Sequence, residues 1–390
     1  MKDTGYDAPE RARERAVGSP EDWLRLLHTP GLGPRRVARL IERFGNPSAA
    51  LQAEARDWAA AGIPGEPCRG EALREREAGV AADLAWCESD PRHRILARDH
   101  PDYPVLLTEL PDPPPVLYLV GNPALLQCPQ IAVVGSREAT PQGLRHAEHF
   151  GRSLAQAGLA VTSGLALGID GAAHRGALDA AGGRTIAVVA TGPDRVYPAR
   201  HRRLAHRIAD HGLIVSLWPV GTLPRPGHFP QRNRVISGLA LGTLVVEAAL
   251  RSGSLITARL AAEQGRSVYA IPGSILSPVS RGCHRLIQEG AQLVESPDDI
   301  LEDLAEWLGL GRASAPPSGA EIDTTGMDPE QAEVLDRMGF DPVSMEALLQ
   351  RTGLTVEALS SILVLLELNG RVAALSHGRY QRLDAGPPET

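Results

Sequence analysis

Four short stretches combine small residues, arginine and one aromatic side chain in a way suited to holding an anion. They read Gly135-Ser136-Arg137; Ser163-Gly164-Leu165-Ala166-Leu167-Gly168-Ile169-Asp170, then Ala173-His174; Phe229-Pro230-Gln231-Arg232-Asn233-Arg234; and Glu247 followed by Arg251-Ser252-Gly253-Ser254. Glycine and serine ahead of a helix leave backbone N–H groups uncovered, and the helix dipole adds partial positive charge there. Arg137, Arg232 and Arg234 bring forked donors matched to phosphate oxygens. Phe229 offers a flat face on which a base can stack. Each stretch alone reads equally well as a turn flanked by surface charge. Their weight comes from where the elements around them put them.

From Ile131 onward, short β-branched runs ending in Gly or Ser alternate with helical segments. Strands are expected at 131–134, 159–162, 185–189, 213–216, 243–246, 268–271 and 293–294, and helices at 141–157, 169–181, 200–210, 255–264 and 283–289. Apolar strands alternating with helices mean a Rossmann-like, doubly wound and mostly parallel sheet covered on both faces. The first, second and fourth stretches follow strands, and the third is read as a later loop of the same region. Ligands of such sheets sit beyond the carboxyl ends of the strands. Gly135, Ser136, Arg137, Ser163, Gly164, Phe229, Arg232, Asn233, Arg234, Ser252, Gly253 and Ser254 are therefore the candidate binding residues.

Which anion is meant follows in part by exclusion. A dinucleotide fingerprint needs GxGxxG after the first strand and an acid ending the second, and neither is present. No GxxxxGK[ST] phosphate loop, GxSxG elbow or HExxH helix occurs, and Ser252 and Ser254 have no evident base. Asp170, Asp194 and Glu247 read as caps, loop anchors or arginine partners rather than acid/base pairs. Cys68, Cys87, Cys128 and Cys283 are scattered without a CxxC pair, and His146 and His149 read as a solvated helix face. The expectation is a binding protein, not an enzyme, with no cofactor and no metal.

The flanks are of other kinds. Residues 1–20 read as a charged tail. Over 21–90 the pattern is helical: Trp23, Leu24, Leu26 and Leu27, then Pro30-Gly31-Leu32-Gly33-Pro34, then Val37, Leu40, Ile41 and Phe44. Helix, glycine turn, helix fits a helix-hairpin-helix whose turn amides meet a DNA phosphate, and an ordinary helical hairpin fits it equally. A proline-rich connector (101–123) holds a short strand at 116–119 and belongs with the sheet in a unit over 91–311. A linker at 312–325 precedes a unit over 326–385 with helical patterns at 331–338, 344–351 and 356–368 and a hairpin of 371–375 with 379–383. That is the layout of a winged helix. The segment 356–368, in the recognition-helix position, carries no Arg or Lys, so a packing or protein-contact role is favoured over DNA reading.

The net charge of −7 would argue against a polyanionic partner if it were even. Between Ile131 and Glu295, however, 18 arginines face 10 acidic residues, and the rest of the chain carries 22 basic against 37 acidic. A basic centre lies between acidic ends, and local field decides where a polyanion docks. No run approaches the roughly 18 apolar residues of a membrane helix. The polar start is no signal peptide, so the cytoplasm is expected.

At these residues the chain resembles the DNA-processing protein A (DprA/Smf) family. Val134-Gly135-Ser136-Arg137, the Ser163–Asp170 stretch with Ala173-His174, Tyr197-Pro198, the Phe229–Arg234 stretch, Val246-Glu247-Ala248, Ser252 to Ala258, Gln264-Gly265-Arg266 and Ile271-Pro272-Gly273 run in family order across about 100–295. The N-terminal helices, as a SAM-like domain, and the C-terminal winged helix ending in Leu366-Glu367-Leu368-Asn369-Gly370 match the flanks. Two departures stand out: Ser216-Leu217-Trp218-Pro219 where the family often has Ser-Glu before proline, and Cys283-His284 where Asn commonly follows the late glycine. The resemblance implies a homodimer that binds incoming single-stranded DNA during natural transformation and loads the RecA recombinase. An enzymatic alternative comes from nucleotide phosphoribohydrolases of the same Rossmann-like superfamily, which use PGGxGT and a Glu-Arg pair. Glu247 sits at a comparable strand end, but Ser252-Gly253-Ser254 is not PGGxGT.

Overall fold

The computed structural model describes residues 19–63, 69–305, 328–375 and 378–383. The 312–325 linker and residues 1–18 of the expected 1–20 tail lie outside them, while Ser19 and Pro20 cap and open the first helix. Among the described residues, the first elements are five helices: α1 (Pro20–Leu27), α2 (Pro34–Phe44), α3 (Pro47–Gln52), α4 (Ala55–Ala60) and α5 (Gly70–Glu88). Proline in the first turns of the first three and the Ser19 and Asn46 side-chain caps fix where those helices begin. Trp23, Leu24, Leu40 and Trp58 form their core, which continues onto Val116 and Tyr118 of the sheet.

The sheet then builds as β1 (His93–Ala97), α6 (Val105–Thr108), β2 (Val116–Gly121), β3 (Gln130–Val134), α7 (Pro141–Gln156), β4 (Ala160–Ser163), α8 (Ile169–Asp179), β5 (Arg184–Val189), α9 (Arg202–His211), β6 (Leu213–Ser216), α10 (His228–Leu239), β7 (Gly242–Val245), α11 (Ser254–Glu263), β8 (Ser267–Ala270), α12 (Arg281–Gln288), β9 (Gln292–Leu293) and α13 (Pro297–Asp303). Among the described residues its order is β1-β2-β6-β5-β4-β3-β7-β8-β9. β1 and β2 run antiparallel at one edge, and every pairing from β6 to β9 is parallel. Along β3, Ala132 and Val134 face one helical layer while Ile131 and Val133 face the other. That alternation requires helices on both sides: α10, α11 and α12 cover one face, α7, α8 and α13 the opposite one.

Strand bounds agree with the sequence reading to within a residue or so. The helices α6 and α13 and a two-residue strand at 343–344 have no counterpart there, and two further differences bear on the site and the sheet edge. The Phe229–Arg234 stretch lies in α10 rather than a loop, because Pro230 falls in the first turn, where its missing N–H is harmless, and Arg232, Val235, Ile236 and Leu239 form one buried face. β1 has no counterpart in the sequence reading; it pairs with β2 from His93↔Val120 to Ala97↔Val116.

After the linker come α14 (Pro329–Met338), β10 (Val343–Ser344), α15 (Met345–Thr352), α16 (Val356–Leu368), β11 (Val372–Leu375) and β12 (Arg379–Arg382), a winged helix with its own core of Val334, Leu348, Leu359 and Leu363. Arg145 on α7 donates to the Gly370 carbonyl at 2.7 Å, tying the start of the wing to the central unit. On α16, Leu359, Ile362, Leu363 and Leu366 pack inward, which leaves Val364, Leu365 and Leu368 exposed. No single helix among the described residues is long and apolar enough to cross a membrane.

Candidate nucleic-acid interface

The chain moves outward from β3 through β4 and β5 to β6, then crosses back to place β7 against the free side of β3. β3 and β7 therefore flank the switch point of the sheet, the place where open sheets of this kind bind their ligands. Gly135 is required there: a Cβ would lie 2.6 Å from Ile169 Cγ1 and 2.9 Å from the Glu247 carbonyl. Ser136 knots the loops together, its N–H donating to the Glu247 carbonyl at 2.7 Å and its carbonyl accepting from Ile169 N–H at 3.1 Å. Arg137 then projects into solvent, its guanidinium carbon 5.5 Å from the centroid of the Phe229 ring. Tyr197 meets the same ring edge-on at 5.9 Å, so Phe229 is held from one side and open to a ligand from another.

The loop after β4 turns donors inward. Gly164 and Ala166 N–H donate to Asp170 Oδ2 at 3.1 and 3.3 Å, and Ser163 Oγ donates to the Val133 carbonyl at 2.6 Å. The amide cradle expected of this loop exists, but the chain's own carboxylate fills it. Burial raises the Asp170 carboxyl above its ordinary range, against the pull of Arg232 and of those two N–H groups. Arg232 is itself only 4% exposed, with one hydrogen bond, from Nη1 to the Val188 carbonyl at 3.1 Å, and a buried Nε without a partner. Burial lowers its pKa to about 10, so it stays a cation at neutral pH. A Cβ on Gly164 would overlap the Arg232 guanidinium, which explains why glycine stands there.

Ser163, Gly164, Arg232 and Arg234 thus each direct a donor to a partner within the chain. Arg234 turns to the Asp112 carboxylate, with a second bond to the Asp112 carbonyl at 2.8 Å. Helical geometry is the reason: on α10, Arg232 lies on the buried face with Ile236, while Phe229 and Asn233, four residues apart, share another. Asn233 is half-exposed and its side chain has no partner among the described residues.

Across the crevice, Ser252 and Ser254 hydroxyls meet at 2.7 Å and exposed Gly253 opens α11. Glu247 is committed: its carboxylate accepts from Thr140 N–H at 2.9 Å and Thr140 Oγ at 2.6 Å, holding the start of α7. Burial pushes this carboxyl up, opposed by those two bonds. Glu247 and Asp170 are anchors, as expected from the sequence. His174 is buried too, its Nδ1 at 2.7 Å from Thr185 Oγ. Thr185 Oγ donates to the Val161 carbonyl, so the imidazole Nδ1–H is the donor to Thr185.

The electrostatic pattern adds residues that the sequence reading missed. Arg200, Arg202 and Arg203 at the start of α9, Arg225 before α10, Arg251 after β7 and Arg281 at the start of α12 are exposed and form no ion pair among the described residues. All stand on connections leaving carboxyl ends of strands, like Arg137. Elsewhere exposed arginines are mixed: Arg92 pairs with Asp90 and Asp210, Arg207 with Asp179 and Arg285 with Glu289, whereas Arg39, Arg43, Arg74, Arg94 and Arg259 form no ion pair among the described residues. The run Arg200-His201-Arg202-Arg203 was visible in the sequence, but only the strand ends show that it belongs to the rim. An arc of uncompensated guanidinium groups around an aromatic face can hold a chain of phosphates with bases between them.

Comparison with known proteins agrees in order along the chain. Family profiles match as a DprA-like N-terminal HHH domain over residues 20–78, DNA recombination-mediator protein A over 94–305 and a DprA winged helix domain over 312–378. Protein Smf of Escherichia coli (strain K12) is 42% identical over 308 residues, 78% of this chain and 81% of that protein. DNA processing protein DprA of Streptococcus pneumoniae (strain ATCC BAA-255 / R6) is 50% identical over 201 residues, 52% of this chain and 71% of that protein. The X-ray structure of DprA from Streptococcus pneumoniae superposes with a TM-score of 0.63 at 38% identity, covering 73% of this chain and 97% of that one. DNA processing protein A from Helicobacter pylori, whose structure is described for its single-stranded DNA binding mode, gives 0.50 at 31% identity, covering 55% and 96%.

Proposed function

The chain belongs to the DNA recombination-mediator protein A family, and on that premise we propose that it binds single-stranded DNA in the crevice between β3 and β7. In this reading it is a cytoplasmic homodimer that shields incoming strands during natural transformation and hands them to the RecA recombinase. It acts by binding and not by catalysis. The observation that carries the reading is Arg137: an exposed guanidinium with no ion pair among the described residues, over the Phe229 ring at the switch point. A phosphate on Arg137 with its base against Phe229 uses both at once, whereas in a duplex the base faces are buried in the stack. Asn233, Ser136, Ser252 and Gly253 line the same opening and offer neutral donors. The engagement of Glu247 by Thr140 supports binding over a phosphoribohydrolase reaction, which needs a carboxylate free to meet substrate.

Fluorescence anisotropy with labelled oligo-dT and with a duplex of equal length, each titrated with salt, tests this. Tighter binding of the single strand with steep salt dependence is expected. Equal or stronger binding of the duplex would overturn it, as would release of ribose phosphate from nucleoside monophosphates.

A further inference from the structure

The loop between β8 and α12, residues 271–280, carries two aliphatic side chains that the interior does not use. Ile275 is 79% and Leu276 81% exposed. Their position is built: the Ser274 carbonyl accepts from Ser277 N–H at 3.0 Å, and Ser274 Oγ accepts from Leu276 N–H at 3.3 Å. Ile275 and Leu276 are therefore the two central residues of a tight turn, places where Gly, Pro, Asn or Asp are the usual occupants. The base of the loop is tied down at two points. His284 Nε2 lies 2.9 Å from the Gly273 carbonyl, and Ala248 N–H donates to the Val279 carbonyl at 2.7 Å.

The second tie sets the location. Ala248 follows Glu247 at the end of β7, so the aliphatic tip stands on the same rim as Arg251 and Ser252. Leu250, 51% exposed, and Ile256 at 44% add apolar surface on this side. Arg251 and Arg281 flank it, exposed and without an acidic partner among the described residues.

We propose that this tip is a second nucleotide subsite, in which Ile275 and Leu276 pack against the faces of unpaired bases while Arg251 and Arg281 hold the phosphates between them. The inference rests on the single-strand reading and extends it. A strand seated at Arg137 and Phe229 continues across β7 toward β8, and beyond the aromatic it meets an aliphatic surface between two cations. Alternating charge and apolar contact matches a polynucleotide whose bases are splayed from the backbone, and apolar side chains at exposed tips serve nucleic-acid binders as wedges against bases. A duplex offers only phosphates to such a surface, and an apolar partner protein would leave Arg251 and Arg281 unmatched.

The test uses the full chain and the double variant Ile275→Ser/Leu276→Ser, with Arg251→Ala/Arg281→Ala as a second variant. Oligo-dT of about 6 and about 20 nucleotides bracket the usual site size for single strands. Both variants change only exposed side chains and are expected to melt like the parent. The aliphatic variant should keep the parent's affinity for the short oligonucleotide and lose about tenfold on the long one, the worth of two aliphatic side chains half-covered by bases. Abasic sites in the long oligonucleotide should weaken the parent but add little to the variant's loss. The arginine variant should lose affinity for the long oligonucleotide and flatten its salt dependence. Unchanged binding of the long oligonucleotide by the aliphatic variant, with the parent binding normally, overturns the subsite alone and leaves the tip to a protein partner. A parent that binds neither oligonucleotide overturns the single-strand reading, and the subsite with it.

Discussion

Replacing Arg137 and Arg234 by alanine, one at a time, separates geometry from composition, because both are arginines of matched motifs with opposite surroundings. Arg137 lies over the Phe229 ring and forms no ion pair among the described residues. Its loss removes a charged contact worth roughly 1.5–3 kcal/mol, or about 10- to 150-fold in affinity. If about four to six phosphates are neutralised, log K against log salt concentration has a slope of roughly −3 to −4, and one fewer contact makes it shallower by about 0.7. Arg234 is 14% exposed and bound to Asp112 at 19%, whose other oxygen also receives Arg35 Nε at 3.3 Å. Removing it should cost about 1–2 kcal/mol of stability, less than the loss of a fully buried pair because Arg35 still neutralises the carboxylate. Single-strand affinity and salt slope should be untouched. Anisotropy at a series of salt concentrations, with thermal melts of the same samples, reads all four quantities. A flattened slope for Arg234→Ala together with an unchanged one for Arg137→Ala would refute the assignment of which guanidinium faces the DNA.

Phe229→Ala should weaken oligo-dT binding roughly 5- to 150-fold, with Phe229→Trp restoring most of it in the same anisotropy assay, since stacking asks for a face and not for a particular ring. Gly164→Ala forces a methyl into the buried Arg232 guanidinium and should cost about 1–3 kcal/mol in denaturant unfolding; an unchanged midpoint would mean the guanidinium is not confined there. His174, held neutral by burial with its pKa lowered to about 3, stays unprotonated in the fold while the unfolded chain takes up a proton near pH 6.5. Its contribution is fully present above that pH and falls by about 1.4 kcal/mol per unit as pH drops toward 3. The loss between pH 7.5 and 5 should be about 2 kcal/mol smaller in His174→Gln, measured by urea titration at the two pH values.

The sheet was legible because its strands are short β-branched runs closed by Gly or Ser, signals that act over a few residues. α10 was not, since its buried face includes an arginine and the Pro-Gln-Arg-Asn-Arg run hides the 3.6-residue period behind turn chemistry. β1 was hidden for a related reason: His93-Arg94-Ile95-Leu96-Ala97 is a short edge strand opening on two polar residues, and its pairing partners lie about twenty or more residues on. Among the candidate site residues, type was readable and orientation was not. Asp112 lies 122 positions from Arg234 and Val188 lies 44 from Arg232. Nothing local distinguishes these arginines from Arg137, and only the register of the helix and the closeness of Gly164 do so.

The cradle filled by Asp170 changes what kind of binder this can be. Had the Gly164 and Ala166 amides been open, a single phosphate would be gripped by fixed backbone donors, as at the start of many nucleotide-binding helices. With an internal carboxylate there, the proposed grip falls instead to guanidinium side chains on the rim. Arg232 beneath the loop offsets the carboxylate without reaching solvent, so the pair is nearly neutral from outside and shapes the floor of the crevice. Flexible cations over a neutral floor hold a backbone whose phosphates fall at changing positions, and a stacking ring accepts any base. Tight recognition of one mononucleotide does not suit such a floor; a strand that slides while bound does.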